Sequence, residues 1–402
     1  MTTINLKQYN LQVSQGFVVG GFNDLGNDIT NQFKAFYNTF FALGLIQLTQ
    51  DFLNESERTF LLFDKKQRVS LGDAYFNNFT VVTGKLLSNG QYGAAFSLWT
   101  QILSFVKDWE KKNKSKRLHK GTPYYFSAVS SIMQNDFDAA LISMHNALVE
   151  DKINNSNWDQ APGYFFMTLN DQNGNQYFKP FVDAMIGFIR DRLDGQGLEK
   201  GKYKKSYAKT RSGILTYPQF RSKFLDDKNI SEEIKYYFVY SIIRIWHLRV
   251  LHKNKVGDKL MAPLIFNNAL FSLLLVIDDL MKTWNNMANR NYISEHVYEI
   301  SKSEHWIHSS INKEKYIEDL DINNRLKSDF EQTCRDLIRY KNGKYKTKSN
   351  RELGELESDF VLVYGLRNFS AHNIKSQEIL WKNYTEILQS VLNCLFKVIE
   401  II

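Results

Sequence analysis

Proline and cysteine are scarce. Five prolines occur in 402 residues and none follows Pro263, so no proline interrupts a helix in the C-terminal third. Cys334 and Cys394 provide neither a disulfide framework nor the paired spacing of a zinc site, and no metal or cofactor is expected. Residues 1–7 lack the basic start, apolar run and small-residue cleavage site of a secretory signal, which predicts a cytoplasmic protein. The longest apolar stretch, 263–281, contains Asn267, Asn268, Asp278 and Asp279. These are too costly for a spanning helix, so the stretch reads as a core helix and no membrane partner is expected. With 43% hydrophobic and 14% aromatic residues against only 21 glycines, disorder and collagen-like structure are excluded.

What is abundant is positive charge, unevenly placed. Eight basic residues and no acid lie between Lys200 and Lys223 (Lys200, Lys202, Lys204, Lys205, Lys209, Arg211, Arg221, Lys223), and they account for the whole net charge of +8. Two further acid-free runs, 111–120 and 339–351, carry six Lys or Arg each, the second including Arg339, Lys341, Lys344, Lys346 and Lys348. Tyr203, Tyr207 and Tyr217 punctuate the first run, and Tyr340 and Tyr345 the last. Cations mixed with stackable rings point to RNA as a partner, whereas solvated connecting loops are the plainer explanation of each run.

Hydrophobic periodicity predicts an all-α chain. A helix is expected over 33–53, and helical pairs over 73–87 with 92–111, 123–134 with 137–150, and 163–169 with 177–193. Each pair turns at a polar or glycine step, and the aromatic closing the turn recurs at Tyr92, Phe137 and Tyr177, spacings of 45 and 40 residues. Such a period suggests stacked helical hairpins. Tyr124 to Ala128, Asn135 to Ala140 and Asn146 to Leu148 together resemble a tetratricopeptide repeat. Further on, Ser231 with Glu232 and Glu233 reads as a helix start. Helices over 259–287, 313–340, 353–370 and 376–402 imply a four-helix bundle. The expected organisation is a helical-repeat sensing or partner-binding region over 1–195, a basic segment and connecting helix over 196–255, and a bundle domain over 256–402.

The segment between the last two bundle helices, Tyr364 to Asn373, is the most informative. Arg367 and His372 are five positions apart, which on an ideal helix sets them about 140° from each other. A helix ending near Ser370 would let the following connection turn both toward one cleft. Arg367, Asn368 and His372 resemble the Arg-polar-x-x-x-His motif of HEPN ribonucleases, and the helices on either side resemble that family's bundle. The resemblance implies a metal-independent endoribonuclease acting as a homodimer or higher even oligomer, with these three residues catalytic. It also implies a role in anti-phage defence, abortive infection or as a toxin, with a phage-derived trigger, a nucleotide signal or an antitoxin as further partners.

The residue types suit that chemistry. Histidine titrates near neutrality and can move protons to and from ribose oxygens. A guanidinium holds two phosphate oxygens and favours the more highly charged transition state. One histidine per chain leaves the acid and base roles underfilled, which a two-fold dimer would remedy. A non-catalytic RNA-binding or adaptor protein is the competing expectation. Other constellations carry less. His305 and His308 have a one-face helical spacing but no third metal ligand, residues 195–202 only superficially resemble a phosphate loop, and His247, His252 and Cys394 suit packing.

Overall fold

A computed structural model of the chain describes residues 12–14, 17–19, 76, 79–113, 117–155, 157–170, 177–194, 215–254, 261–284, 293–338, 345–370 and 378–402. The fold is all-α, apart from a small antiparallel hairpin of Gln12–Ser14 and Phe17–Val19 (β1 and β2) and a lone bridge between Lys346 and Glu352. Contacts divide the chain into two units, Met1–Val182 and Asp183–Ile402. The division falls inside the helix Lys179–Asp194. The helix expected over 33–53 lies outside the described residues.

In the first unit, helices α1 (Phe79–Ser88), α2 (Tyr92–Lys112), α3 (Gly121–Met133), α4 (Phe137–Asn154) and α5 (Pro162–Met167) follow one another. Helix α3 packs on α2 and α4, and α4 on α5. Two of the predicted turns have clear causes. Gly90 (φ +72°) and Asn135 (φ +61°) take the left-handed conformation that reverses the chain. Asp136 then caps α4 by accepting the Ala139 N–H at 3.1 Å. The third expected turn, at 174–177, lies largely outside the described residues. Trp99 anchors the core: fully buried, it stacks on Phe126 at 5.6 Å and donates its indole N–H to Thr83 at 2.7 Å. Burial on this scale contributes roughly 1.5–3 kcal/mol per large side chain.

Helix α6 (Lys179–Asp194) leads into the second unit. There a helical turn, α7 (Tyr217–Phe220), widens into a π turn over Arg221–Leu225. Ser231 caps α8 (Glu232–Lys253), its hydroxyl accepting the Ile234 N–H. Next comes α9 (Met261–Thr283), whose Pro263 sits in the first turn, where its missing N–H costs nothing. Alone among the described residues, α9 is long and apolar enough to cross a membrane by length and composition. Here Leu270, Leu273, Leu274, Ile277 and Leu280 are buried in the core.

Beyond α9 lies α10 (Ile293–Ser303). The single helix expected over 313–340 is instead three short ones: α11 (Lys313–Leu320), α12 (Ile322–Ser328) and α13 (Phe330–Leu337). Asp321 breaks the first junction by taking φ +54°, and Asp329 breaks the second by turning its carboxylate onto the Gln332 N–H. Helix α14 (Glu355–Ser370), α15 (Glu378–Lys382) and α16 (Tyr384–Ile401) complete the chain. The last two replace one expected helix, divided at Asn383, whose side chain donates back to the Ile379 carbonyl at 2.9 Å. The long helices pack as α8 on α9, α9 on α14 and α16, and α14 on α16. The segment 313–340 is therefore not one of the long packed helices, and the helix over 232–253, assigned to the connector from sequence, packs within this unit.

Candidate active site at the end of the buried helix α14

Helix α14 is almost wholly buried from Leu356 to Leu366, and its N-terminal end is tied down first. Glu357, 2% exposed, receives both guanidinium nitrogens of Arg351 at 2.9 Å and the Tyr316 hydroxyl at 3.2 Å. Charge-assisted paired bonds of this kind are geometrically specific, and an acid suits the positive first turn. The basic run at 339–351 therefore donates one of its cations to the fold.

The last turn of α14 carries the motif. Arg367 is partly exposed, its side chain 30% accessible, and its Nη2 lies 3.7 Å from Oδ2 of Asp278 on α9. Asp278 is buried, and its Oδ1 receives Nδ1 of the fully buried His296 on α10 at 3.0 Å. The Nε of Arg367 is buried without a hydrogen-bond partner. Asn368 hydrogen-bonds the Tyr364 hydroxyl, which also accepts from Asn323 Nδ2 at 3.0 Å. Burial pushes the Tyr364 pKa above its ordinary value, the two amide bonds opposing it, so the phenol stays protonated. Phe369 stacks on Phe330 with ring centroids 4.2 Å apart. Both rings line an open cleft of about 650 Å³, with Leu326 and Ile379 beside them and charges of both signs at its edge (Lys327, Asp329, Glu331, Glu378, Lys382). Arg367 and Asn368 are thus adjacent on one helix end. His372 lies outside the described residues.

The expected RNA-binding residues fare differently. Lys200, Lys202, Lys204, Lys205, Lys209, Arg211, Arg339, Lys341 and Lys344 lie outside the described residues. Lys346 is exposed beside its bridge to Glu352. Lys348 lies 3.7 Å from Glu318 and 3.8 Å from Asp321, so acids offset its charge. Two tyrosines expected to offer stacking surface do not: Tyr217 and Tyr345 are buried, with Arg190 and Arg325 respectively over their rings. The run at 111–120 likewise gives two cations, Arg117 and Lys120, to the fold. Lys120, 3% exposed, reaches Glu110 at 2.7 Å and Glu150 at 3.3 Å, and Arg117 reaches Glu150 at 2.7 Å.

His305 and His308 occupy a turn after α10 rather than one helix face, and His305 has φ +56°. Among the described residues no group of three His, Cys, Asp or Glu side chains is placed to hold a metal. His252 packs between Trp381 and Tyr384, with ring centroids 5.1 and 5.0 Å away. Cys394 is buried. Sequence reading missed Asp278, His296, Asn323 and Tyr364. The available signal was a carboxylate on the apolar face of α9, one position from Ile277 and three from Met281. The chain matches no family model, no curated protein and no solved structure.

Proposed function

We propose that this protein is a HEPN-type, metal-independent endoribonuclease whose working groups are Arg367, Asn368 and His372. The observation that carries the reading is local. Arg367 and Asn368 close a buried helix, the guanidinium is partly open to solvent above a buried carboxylate, and His372 follows four residues after Asn368. Arg367 binds the scissile phosphate and stabilises its extra charge in the transition state. His372 transfers protons, an effect worth about 10²–10⁴-fold in rate, and Asn368 orients the phosphate from its place beside Tyr364. The ribose 2′-hydroxyl attacks phosphorus and the 5′-oxygen leaves, giving a 2′,3′-cyclic phosphate or 3′-phosphate and a 5′-hydroxyl.

Two copies of the chain supply both acid and base, so the working form is a homodimer or higher even oligomer. The basic residues at 200–211 and 339–346 draw in the RNA backbone. In the cytoplasm, as a regulated effector of phage defence, the enzyme would be held in check until a phage-derived trigger, a nucleotide signal or loss of an antitoxin releases it. A second reading, an adaptor that binds a protein partner through its first unit, draws support from Ile142, Val149 and Ile153. These are exposed at 64%, 36% and 41% along α4, at a seven- and four-residue spacing that shares one face.

The test is incubation of wild type, Arg367→Ala and His372→Ala with total RNA in chelator, followed by mapping of cut ends. Wild type should leave cyclic phosphate and 5′-hydroxyl termini, and each variant should lose at least about 10²-fold in rate while staying folded. Equal cleavage by all three removes the site assignment. Salt-sensitive RNA binding without cleavage favours the adaptor.

A further inference from the structure

We infer that Asp278 is a positioning residue for Arg367, and that His296 holds Asp278 in the orientation this requires. The inference rests on reading Arg367 as the phosphate-binding group proposed above. Three helices contribute one side chain each: α9 gives Asp278, α10 gives His296 and α14 gives Arg367. Asp278 is 3% exposed, among Leu274, Ile277 and Met281 on the core face of α9. An ionised carboxylate is unfavourable there unless both oxygens find partners, and each has one. Oδ1 takes the imidazole Nδ1 of His296 at 3.0 Å, and Oδ2 faces Arg367 Nη2 at 3.7 Å.

This division of labour gives the chain its direction. His296 is fully buried and cannot meet a substrate, but its Nδ1 lies 3.0 Å from Asp278 Oδ1 and so bears on that carboxylate. The carboxylate in turn bears on one guanidinium nitrogen. Arg367 Nε is buried with no hydrogen-bond partner, so among the described residues Asp278 supplies the ion pair that sets the tilt of the planar group. A guanidinium has five N–H donors in a fixed fork. Engaging one nitrogen from beneath leaves others for two phosphate oxygens.

The experiment uses the full chain as wild type, Asp278→Asn, Asp278→Glu, His296→Gln and Arg367→Lys. The Arg367 Nε–Hε resonance, assigned by its loss in Arg367→Lys, should shift in Asp278→Asn and exchange with water about tenfold faster or more, with Asp278→Glu intermediate. In RNA cleavage, Asp278→Asn should lose roughly 10²-fold in kcat, the scale expected when a reacting group is misplaced by about an ångström. KM should change less than about threefold, Asp278→Glu should recover part of the rate, and His296→Gln should lose about tenfold.

An Arg367 resonance unmoved in Asp278→Asn overturns the inference whatever the cleavage assay gives, and so does an unchanged kcat. Equal loss of kcat in Asp278→Asn and Asp278→Glu together with a broad loss of native NMR dispersion also overturns it, because Asp278 would then serve the fold alone. If Asp278→Asn does not fold, Asp278→Glu and His296→Gln carry the same comparison. Wild-type cleavage rates in Arg367→Ala would defeat the ribonuclease reading instead, while the resonance still decides whether Asp278 positions Arg367.

Discussion

Titratable side chains that folding partly or wholly buries set how this protein responds to pH. Burial pulls His247 and His252 below the ordinary histidine value of 6.5, so the unfolded chain takes up protons first on acidification. Their contribution to stability is complete above about pH 6.5 and is lost as the pH falls toward their folded values. Burial pushes Cys334, Tyr345 and Tyr384 upward from 9.0, 10.0 and 10.0. Here the unfolded chain loses protons first, so stability is complete below about pH 9 and declines above it. Urea unfolding should therefore show its highest midpoint between these limits. His252→Phe, which keeps a ring between Trp381 and Tyr384, should flatten the acidic side. An acidic slope identical to that of wild type would show that His252 is not a source of it.

At the scale of elements, helix approach is governed by single glycines. A Cβ on Gly163 would lie 2.8 Å from the backbone N of Leu148, so α5 meets α4 backbone to backbone and neither helix can yield by turning a side chain. Gly163→Ala should destabilise the protein by about 1–3 kcal/mol or more, the scale of overpacking. Gly187, inside α6, has nothing within 4 Å of its would-be Cβ. Gly187→Ala should stabilise by up to about 1 kcal/mol, the difference in helix propensity. Thermal unfolding of the two variants should move in opposite directions, and a shared direction would contradict the packing described for α5. At Gly365 the would-be Cβ meets side chains rather than backbone, lying 2.7 Å from Leu326 Cδ1 and 2.9 Å from Ile322 Cγ1. The motif-bearing helix thus lies close against α12, two residues before Arg367.

For the whole molecule, the proposed chemistry requires pairing of chains and attraction of a polyanion. Specific activity should fall on dilution in step with dissociation measured by sedimentation, and a mixture of Arg367→Ala with His372→Ala protein should report whether sites are shared between chains. Affinity for a single-stranded RNA should fall linearly in logarithm with the logarithm of salt, with a slope of about 0.7 per phosphate neutralised. Replacing Lys200, Lys202, Lys204 and Lys205 by Gln should lower that slope by roughly 3. A slope unchanged by the replacement would remove this stretch from the RNA contact.

Sequence alone settled what depends on neighbours along the chain. Periodic apolar residues specified an all-α protein, and the turn-forming glycine and asparagine at 90 and 135 placed the starts of α2 and α4 at Tyr92 and Phe137. Ser231 likewise announced the cap of α8. Breaks at Asp321, Asp329 and Asn383 escaped notice because the apolar period continues across them: Asp321 takes a left-handed φ, and at Asp329 and Asn383 a side chain competes locally for backbone hydrogen bonds. What only the tertiary structure decided is where charge goes. Lys120 and Arg351 look like ordinary solvated residues in a string of letters and Asp278 like an acid in an apolar run, yet each is held against partners between 6 and 89 positions away, Glu110 and Glu150, Glu357, and Arg367. Local periodicity is written in spacing, whereas burying a charge depends on meeting its counter-charge in space.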